Sequence, residues 1–239
     1  MNAVAPPAAD VKGTVMKKEM KLKISVIINL LIGFVTAGVM VWSVIDVNTS
    51  NVYKMSGTGE LFKYFTIQSN VLSGIVSIIF AVFGIRKLKG VSSDIPTALY
   101  VMRLAATAGV SLTMTTVLVY LGPIFGYAFM LTHTNLFFHL LLPLSAIVSF
   151  VFFDTTDKIS FRSTLFSLTH FALYAAFYLS VALSHVVNGK VDLIYDWYSF
   201  TTFGIPVSFA IAAVLGGVIY GFALLLRKLN SIVYRKERE

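Results

Sequence analysis

Long apolar stretches alternate with short polar connections along this chain, and six of the stretches are long enough to cross a membrane. A helix needs about 20 mostly apolar residues to span the hydrocarbon core of a bilayer. We place the six segments at residues 24–45, 64–85, 98–121, 134–153, 165–184 and 205–226. Short connections make sequential helices antiparallel neighbours. The pattern therefore predicts an all-α, polytopic membrane protein with a single bundle of six transmembrane helices.

Both ends of the chain lack this apolar pattern. Residues 1–23 contain Pro6, Pro7 and five lysines, and residues 227–239 are rich in Lys and Arg. We expect residues 1–23 to form a flexible basic tail and residues 227–239 to form a basic tail. The first tail is not expected to be a cleavable signal, because the apolar run that follows it is too long for such a peptide.

The distribution of positive charge predicts the orientation of the bundle. Of the 19 Lys and Arg residues, only Lys54, Lys63 and Lys190 fall on one side, and Arg103 lies within the third segment. All the others fall in the two tails and in the second and fourth connections. Positive residues concentrate on the cytoplasmic side of membrane proteins. We therefore expect both termini in the cytoplasm, with the protein in the cell (plasma) membrane.

Composition narrows the function classes. The chain is 57% hydrophobic and 13% charged, whereas soluble domains are about 25% charged. It has no cysteine, which excludes disulfides, thiolate nucleophiles and cysteine-ligated metals. The net charge of +8 follows the expected topology, so it does not indicate a nucleic-acid partner.

A polar stripe begins the second segment, in the stretch KYFTIQSN at residues 63–70. On a helix Thr66, Asn70, Ser73 and Ser77 share one face. Such a face must meet protein or trapped water rather than acyl chains. It indicates either a functional site or hydrogen bonding between packed helices, and the stripe alone leaves both open.

The fourth segment carries a second polar face with Thr132, Asn135 and His139. Pro143 follows four residues after the histidine and has no N–H, so we expect it to free the carbonyl of His139 and bend the helix. A bent backbone beside a buried histidine is suited to the wall of a pocket, although a proline kink beside a core histidine would show the same pattern.

The expected orientation places several polar residues at the outer side of the membrane. Thr66 and His139 lie near the outer ends of their helices, and His185, Tyr195 and Asp196 lie in or beside the outer connection between the fifth and sixth segments. Their shared depth is what a common site would require.

Two further features indicate packing or topology rather than chemistry. Arg103 lies near the cytoplasmic boundary, where we expect it to anchor the helix or to pair with Asp94 or Asp154. Small residues recur every four positions in the sixth segment, which suits close helix packing inside the bundle or between copies in a homo-oligomer. They are Ala213, Gly217 and Gly221.

The motifs KYFTIQSN and FFHLLLPL, with the later segment SHVVNGKVDLIYDWYSF, resemble a bacterial family of predicted six-transmembrane-helix proteins. That family is distantly similar to the androgen-induced-gene and androgen-dependent tissue-factor-pathway-inhibitor-regulating proteins, which are intramembrane threonine hydrolases. The resemblance implies cleavage of fatty acid esters of hydroxy fatty acids. By motif the nucleophile falls on Thr66 and the base on His139, with His133 as a second alignment. The spacing from His139 to the next proline is one residue shorter than in the eukaryotic branch.

This chemistry assigns expected roles to the neighbouring residues. A threonine hydroxyl needs an adjacent base, and the ester carbonyl needs a donor. The amides of Gln68, Asn70 and Asn135 are candidate donors, and Asp196 or Tyr195 is a candidate to orient the histidine. We also expect Ser69 and His185 to support the site.

We expect no metal or cofactor, since no ligand pair such as HxxxH is present. The partners would be membrane lipids, with a lipid-ester substrate entering from the outer leaflet. Two competing hypotheses remain open. In one, the same polar interior binds or transports a small lipid or solute; in the other, the protein is a structural or assembly factor whose polar faces only hold helices together.

Overall fold

The computed structural model describes residues 8–49, 58–92, 94–192 and 194–238. Within these ranges six helices are long and apolar enough to cross a membrane. They run over Lys18–Thr49, Phe65–Leu88, Thr97–Phe125, His133–Phe153, Arg162–Ser184 and Ile205–Lys236. The prediction of an all-helical, multi-pass membrane protein is confirmed, and we number the helices from first to sixth in this order.

The first and sixth helices are longer than the hydrophobic pattern predicts. The first begins at Ala8, so most of the predicted flexible tail (1–23) is helical. The sixth continues to Lys236, so most of the predicted carboxy-terminal tail is helical too. Lys, Glu, Met and Leu in these stretches are strong helix formers, and Lys23 pairs with Glu19 one turn earlier. Apolarity marks only the part of a helix that crosses lipid, whereas helix propensity extends it into water.

The third and fourth helices contain π-helical turns, which are rare and occur often at functional positions. In the third helix, the segments are α Thr97–Thr116, π Val117–Leu121 and α Gly122–Phe125. In the fourth they are α His133–Leu136, π Phe137–Leu141, α Leu142–Val148 and π Ser149–Phe153. A short helix, Tyr127–Met130, connects the two after Gly126, whose φ of +89° favours glycine.

The remaining elements are short. Three 3-10 turns cover Thr58–Lys63, Arg162–Phe166 and Phe200–Phe203, and the regular part of the fifth helix is Ser167–Ser184. A two-stranded antiparallel hairpin pairs β1 (Val186–Val187) with β2 (Lys190–Val191), in the register Val186 to Val191 and Val187 to Lys190. Asn188 and Gly189 form its turn with φ of 52° and 75°. An Asn-Gly pair between valines is a strong hairpin signal, which our sequence analysis did not use.

The third helix is the axis of the bundle. Leu104, Ala108 and Val110 on this helix are completely buried. Phe80 and Phe150 pack around its first half with the fifth and sixth helices, and a second apolar cluster joins the first, second and fourth helices around its second half. The polar groups of the third helix are therefore held between neighbours rather than against lipid.

The small residues of the sixth helix point away from the bundle. Ala213, Gly217 and Gly221 are exposed. Apart from the backbone of the helix itself, no atom of the described residues lies within 4 Å of a Cβ built on either glycine. Gly216 instead packs against Phe171. Close packing of this stripe inside the bundle, one of the two predicted uses, is wrong. Contact between copies stays a prediction.

The two ends of the bundle differ in charge. Lys21 of the first helix bonds to Glu237 at the end of the sixth, and Asp94 accepts from Lys87 and Lys158. The end that contains these residues is called the basic end. The opposite end holds the turn at 58–63, the hairpin and residues 194–204, and is called the loop end.

Candidate functional site

Thr66 and His139, the two predicted catalytic residues, line one cavity of about 300 Å³. The cavity lies at the loop end, where the first, second and fourth helices meet the end of the third helix and the connection that precedes the sixth. Its polar lining consists of Ser43, Tyr64, Thr66, Thr134, Asn135, His139, Trp197 and Tyr198, and most of the remaining wall is aliphatic or aromatic. An apolar chamber with a few converging polar groups is the usual form of a small-ligand site.

The ring of His139 is fixed by a backbone carbonyl. Its Nδ1 lies 2.7 Å from the carbonyl oxygen of Met130, at the end of the short connecting helix. A carbonyl oxygen only accepts, so Nδ1 carries the proton and donates it. Nε2 is then the unprotonated nitrogen, which is the state that a general base requires. His139 is buried and lies within the π-helical turn of the fourth helix.

Thr66 lies in the first turn of the second helix and is partly buried. Its carbonyl accepts from Ser69 Oγ and from Asn70 Nδ2. Its hydroxyl forms no hydrogen bond within the described residues, so the oxygen that would act as nucleophile is not committed to a protein partner.

Asn70 joins the two catalytic helices. Its Nδ2 donates to the carbonyl of Thr66 at 2.8 Å and to that of Phe138 at 3.0 Å. In the π turn the Leu142 N–H bonds to the carbonyl of Phe137, five residues earlier. By the same step the carbonyl of Phe138 would need the N–H of Pro143, which proline lacks. The longer step of a π turn therefore leaves the carbonyl of Phe138, one residue before His139, without its helical donor. Asn70 satisfies the carbonyl left open. That proline frees the carbonyl of His139 stays a prediction.

Two other predicted supporting residues form hydrogen bonds to the backbone or to a neighbouring helix rather than lining the cavity. Gln68 Nε2 donates to the carbonyl of Phe62 at 2.7 Å. Ser69 Oγ lies 3.1 Å from Thr113 Oγ1 and ties the second helix to the third. Neither lines the cavity. Of the three predicted amide donors only Asn135 does, and its side chain makes no hydrogen bond in the described part of the chain.

The predicted residues of the outer connection do not reach the histidine. His185 is exposed and stacks on Tyr195 with ring centroids 3.6 Å apart. Asp196 is buried and accepts from Tyr178, from Thr201 and from the Phe200 amide. The carboxylate therefore bonds to groups of its own loop and to the fifth helix. The expectation that Asp196 or Tyr195 orients His139 is wrong. The carbonyl of Met130 does so.

Part of the cavity wall was not among the predicted site residues. Trp197 and Tyr198 close the loop end, where the Tyr198 hydroxyl accepts from the Phe65 amide at 3.0 Å. Burial raises the pKa of Tyr198 well above its usual value, so the hydroxyl stays protonated. The aromatic density of DWYSF was the available signal for these two residues. Met130 had none, because it acts through its backbone.

A second polar region, the buried cluster, lies nearer the basic end. Arg103 and Asp154 form an ion pair in which neither side chain is exposed, with Nη2 3.0 Å from Oδ2. Arg103 Nη1 also donates to Ser77. The other carboxylate partners are Ser25, Asn29 and Ser149. Of the two partners predicted for Arg103, the structure selects Asp154.

Comparison with known proteins assigns no family to this chain: no protein-family model, no curated protein and no solved structure matches it. The resemblance to intramembrane threonine hydrolases is carried by its sequence motifs alone.

Proposed function

We propose that this chain is an integral membrane hydrolase of lipid esters, of the fatty acid ester of hydroxy fatty acid type. Thr66 is the nucleophile and His139 the base. The observation that carries the proposal is the bond from His139 Nδ1–H to the Met130 carbonyl. It leaves Nε2 free to accept a proton beside a cavity that an uncommitted threonine hydroxyl also lines.

In the reaction His139 Nε2 takes the proton of Thr66 as Oγ1 attacks the ester carbonyl. The tetrahedral intermediate collapses and the C–O bond to the alcohol breaks. The leaving hydroxy fatty acid takes the proton back from Nε2, and the acyl group stays on Thr66. A water, deprotonated by the same nitrogen, then attacks the acyl carbon. The bond from that carbon to Thr66 Oγ1 breaks, Nε2 returns its proton to Oγ1, and the fatty acid leaves. General-base help of this kind contributes roughly 10²–10⁴-fold.

The cavity also offers a donor to the ester carbonyl and room for the chains. The Asn135 amide lines the cavity, so it is our candidate donor to the developing oxyanion. The aliphatic and aromatic walls suit acyl chains. A volume of about 300 Å³ accommodates the ester and the nearby methylenes, while the rest of a long substrate would lie in the membrane.

The test is ester hydrolysis by purified protein in liposomes, with a fatty acid ester of a hydroxy fatty acid as substrate. Thr66→Ala and His139→Ala should each lower turnover by roughly 10³-fold or more, and Thr66→Ser should keep part of it. Thr107→Ala and His133→Ala are matched controls, because both residues lie outside the cavity lining. Wild-type turnover by a folded Thr66→Ala protein would refute the proposal.

The apolar lining also fits the second candidate, a site that binds or transports a lipid without cleaving it. Binding separates the two functions. Under the hydrolase proposal, Thr66→Ala should still bind the ester, because the chamber is unchanged, while releasing no fatty acid. Wild-type protein that binds the ester and releases none would favour the second candidate.

We further propose that both termini face the cytoplasm, with the loop end and its cavity at the outer leaflet of the cell membrane. The asymmetry of Lys and Arg supports this orientation. The chain has no cysteine, so a thiol reagent would label only a cysteine that is introduced. Lys190→Cys at the hairpin should react with an impermeant thiol reagent in intact cells, and Arg162→Cys only after the membrane is opened. The reverse pattern would invert the topology.

A further inference from the structure

A second cavity, the basic cleft, lies at the opposite end of the bundle and has about 530 Å³ of open volume. The ends of the first, second, third, fourth and sixth helices surround it. Its lining carries four cationic side chains, Lys18, Lys21, Lys87 and Arg238, against two carboxylates, Glu19 and Glu237. The cleft therefore has a net positive charge.

The cations of the basic cleft are only partly used by the protein. Lys21 donates to Thr155 Oγ1 at 2.6 Å and to Glu237, and Lys87 pairs with Asp94. Arg238 lies over the ring of Tyr234, with its guanidinium carbon 5.8 Å from the ring centroid, and has a loose contact of 3.7 Å with an exposed aspartate, so its N–H groups are largely unused. Lys18 makes no hydrogen bond or ion pair in the described ranges. Two cations are thus available to a ligand, beside a third whose position is fixed.

A tyrosine side chain also lines the basic cleft. Tyr100 is 8% exposed and packs against Phe80, with ring centroids 5.2 Å apart. Its hydroxyl makes no hydrogen bond to the described chain, although its neighbours hold the ring in place. The hydroxyl therefore has a free O–H to donate to an acceptor in the cleft.

We propose that the basic cleft binds an anionic phosphate group, with the headgroup of an anionic phospholipid as the ligand. Lys and Arg form charge-assisted hydrogen bonds to phosphate, and basic pockets between membrane helices are suited to lipid headgroups. Leu22, Leu88 and Phe153 supply apolar wall beside the charges, at the level where the helices leave the membrane. A lipid would place its phosphate among the cations and its glycerol against this wall.

The test is titration of the detergent-solubilised full chain with short-chain phosphatidylglycerol, short-chain phosphatidylcholine and inorganic phosphate, followed by calorimetry. The cleft variant is Lys18→Gln with Lys21→Gln. The matched control is Lys228→Gln with Lys236→Gln, which removes the same charge from exposed positions at the same end outside the cleft. Lys18→Gln alone and Tyr100→Phe keep the test possible if the loss of Lys21 impairs folding.

Wild type should bind phosphatidylglycerol more tightly than phosphatidylcholine. The cleft variant should weaken that binding about tenfold or more, and the control less than twofold. If inorganic phosphate binds as tightly as the lipid and is weakened by the same variant, the anion site is supported with a soluble phosphate as its source. Equal weakening by the cleft and control pairs, or no preference for the anionic lipid, would overturn the proposal.

Discussion

The cavity at the loop end and the buried cluster near the basic end are both polar regions inside an apolar bundle, but they differ in how far their groups are bonded. In the buried cluster, Asp154 accepts from side chains of the first, third and fourth helices. In the cavity, the hydroxyl of Thr66 and Nε2 of His139 have no partner among the described residues. Polar groups that bond to each other hold helices together, whereas uncommitted groups beside an open volume can act on a ligand.

The first test removes the two cavity groups that have no protein partner, the Thr66 hydroxyl and the His139 ring. The double variant Thr66→Ala with His139→Ala should be no less active than either single variant, because the two residues act as one unit. Thr66→Ala should lower the free energy of unfolding by less than about 1 kcal/mol, since its hydroxyl has no protein partner. Turnover and denaturant unfolding in the same detergent measure the two effects. Additive losses of activity would contradict a shared role.

Activity should also fall on the acid side of its pH profile, because a protonated His139 cannot accept the proton of Thr66. The pH dependence of kcat/KM measures this. A profile with no loss of activity on the acid side, down to the pH at which the protein unfolds, would contradict histidine as the base.

The second test removes the ion pair of the buried cluster. Arg103→Ala leaves Asp154 as a buried charge without its ion-pair partner, and should cost about 3–5 kcal/mol in free energy of unfolding. Arg103→Met combined with Asp154→Leu should recover part of this loss, because no buried charge is left, while Ser25, Asn29 and Ser149 still lose their acceptor. Denaturant titration measures both. A loss below about 1 kcal/mol for Arg103→Ala would show that the cluster does not stabilise the fold.

The third test concerns Asn70, which both joins two helices and connects the two proposed catalytic residues. Asn70→Ala leaves the Phe138 carbonyl without its donor and loosens the connection between Thr66 and His139. It should cost about 1–3 kcal/mol and also reduce turnover. Ser73→Ala is the matched control on the same helix, because the buried Ser73 hydroxyl has no partner in the described chain. Equal effects of the two variants would show that Asn70 does not hold the second and fourth helices together.

The smallest effect is expected at the exposed surface of the basic end. Burial alone would raise the pKa of Asp94, but hydrogen bonds from Lys158, Lys87 and the Ile95 amide lower it to about 2. A lowered pKa stabilises the folded state above about pH 4, and this contribution is lost as the pH falls from about 4 towards 2. Since the group is largely exposed, the contribution should be below about 1 kcal/mol. Asp94→Asn should lower Tm at pH 7 and have little effect at about pH 2; an equal shift at both would contradict this.

The sequence alone determined the number of spans and the inward faces of several helices. A membrane helix must be apolar over about 20 residues, and that property is local, so hydropathy was enough to place all six. The period of the helix likewise placed Asn70, Ser73 and Ser77 on a common face, and all three are buried.

Tertiary structure decided which group each polar side chain meets. Asp154 rather than Asp94 pairs with Arg103, the Met130 carbonyl rather than Asp196 orients His139, and the small residues of the sixth helix face outward. These contacts join residues far apart in the chain or use backbone groups that every residue carries, so no local pattern distinguishes one partner from another. The packing of the helices does, because in lipid each polar group must find its partner within the bundle.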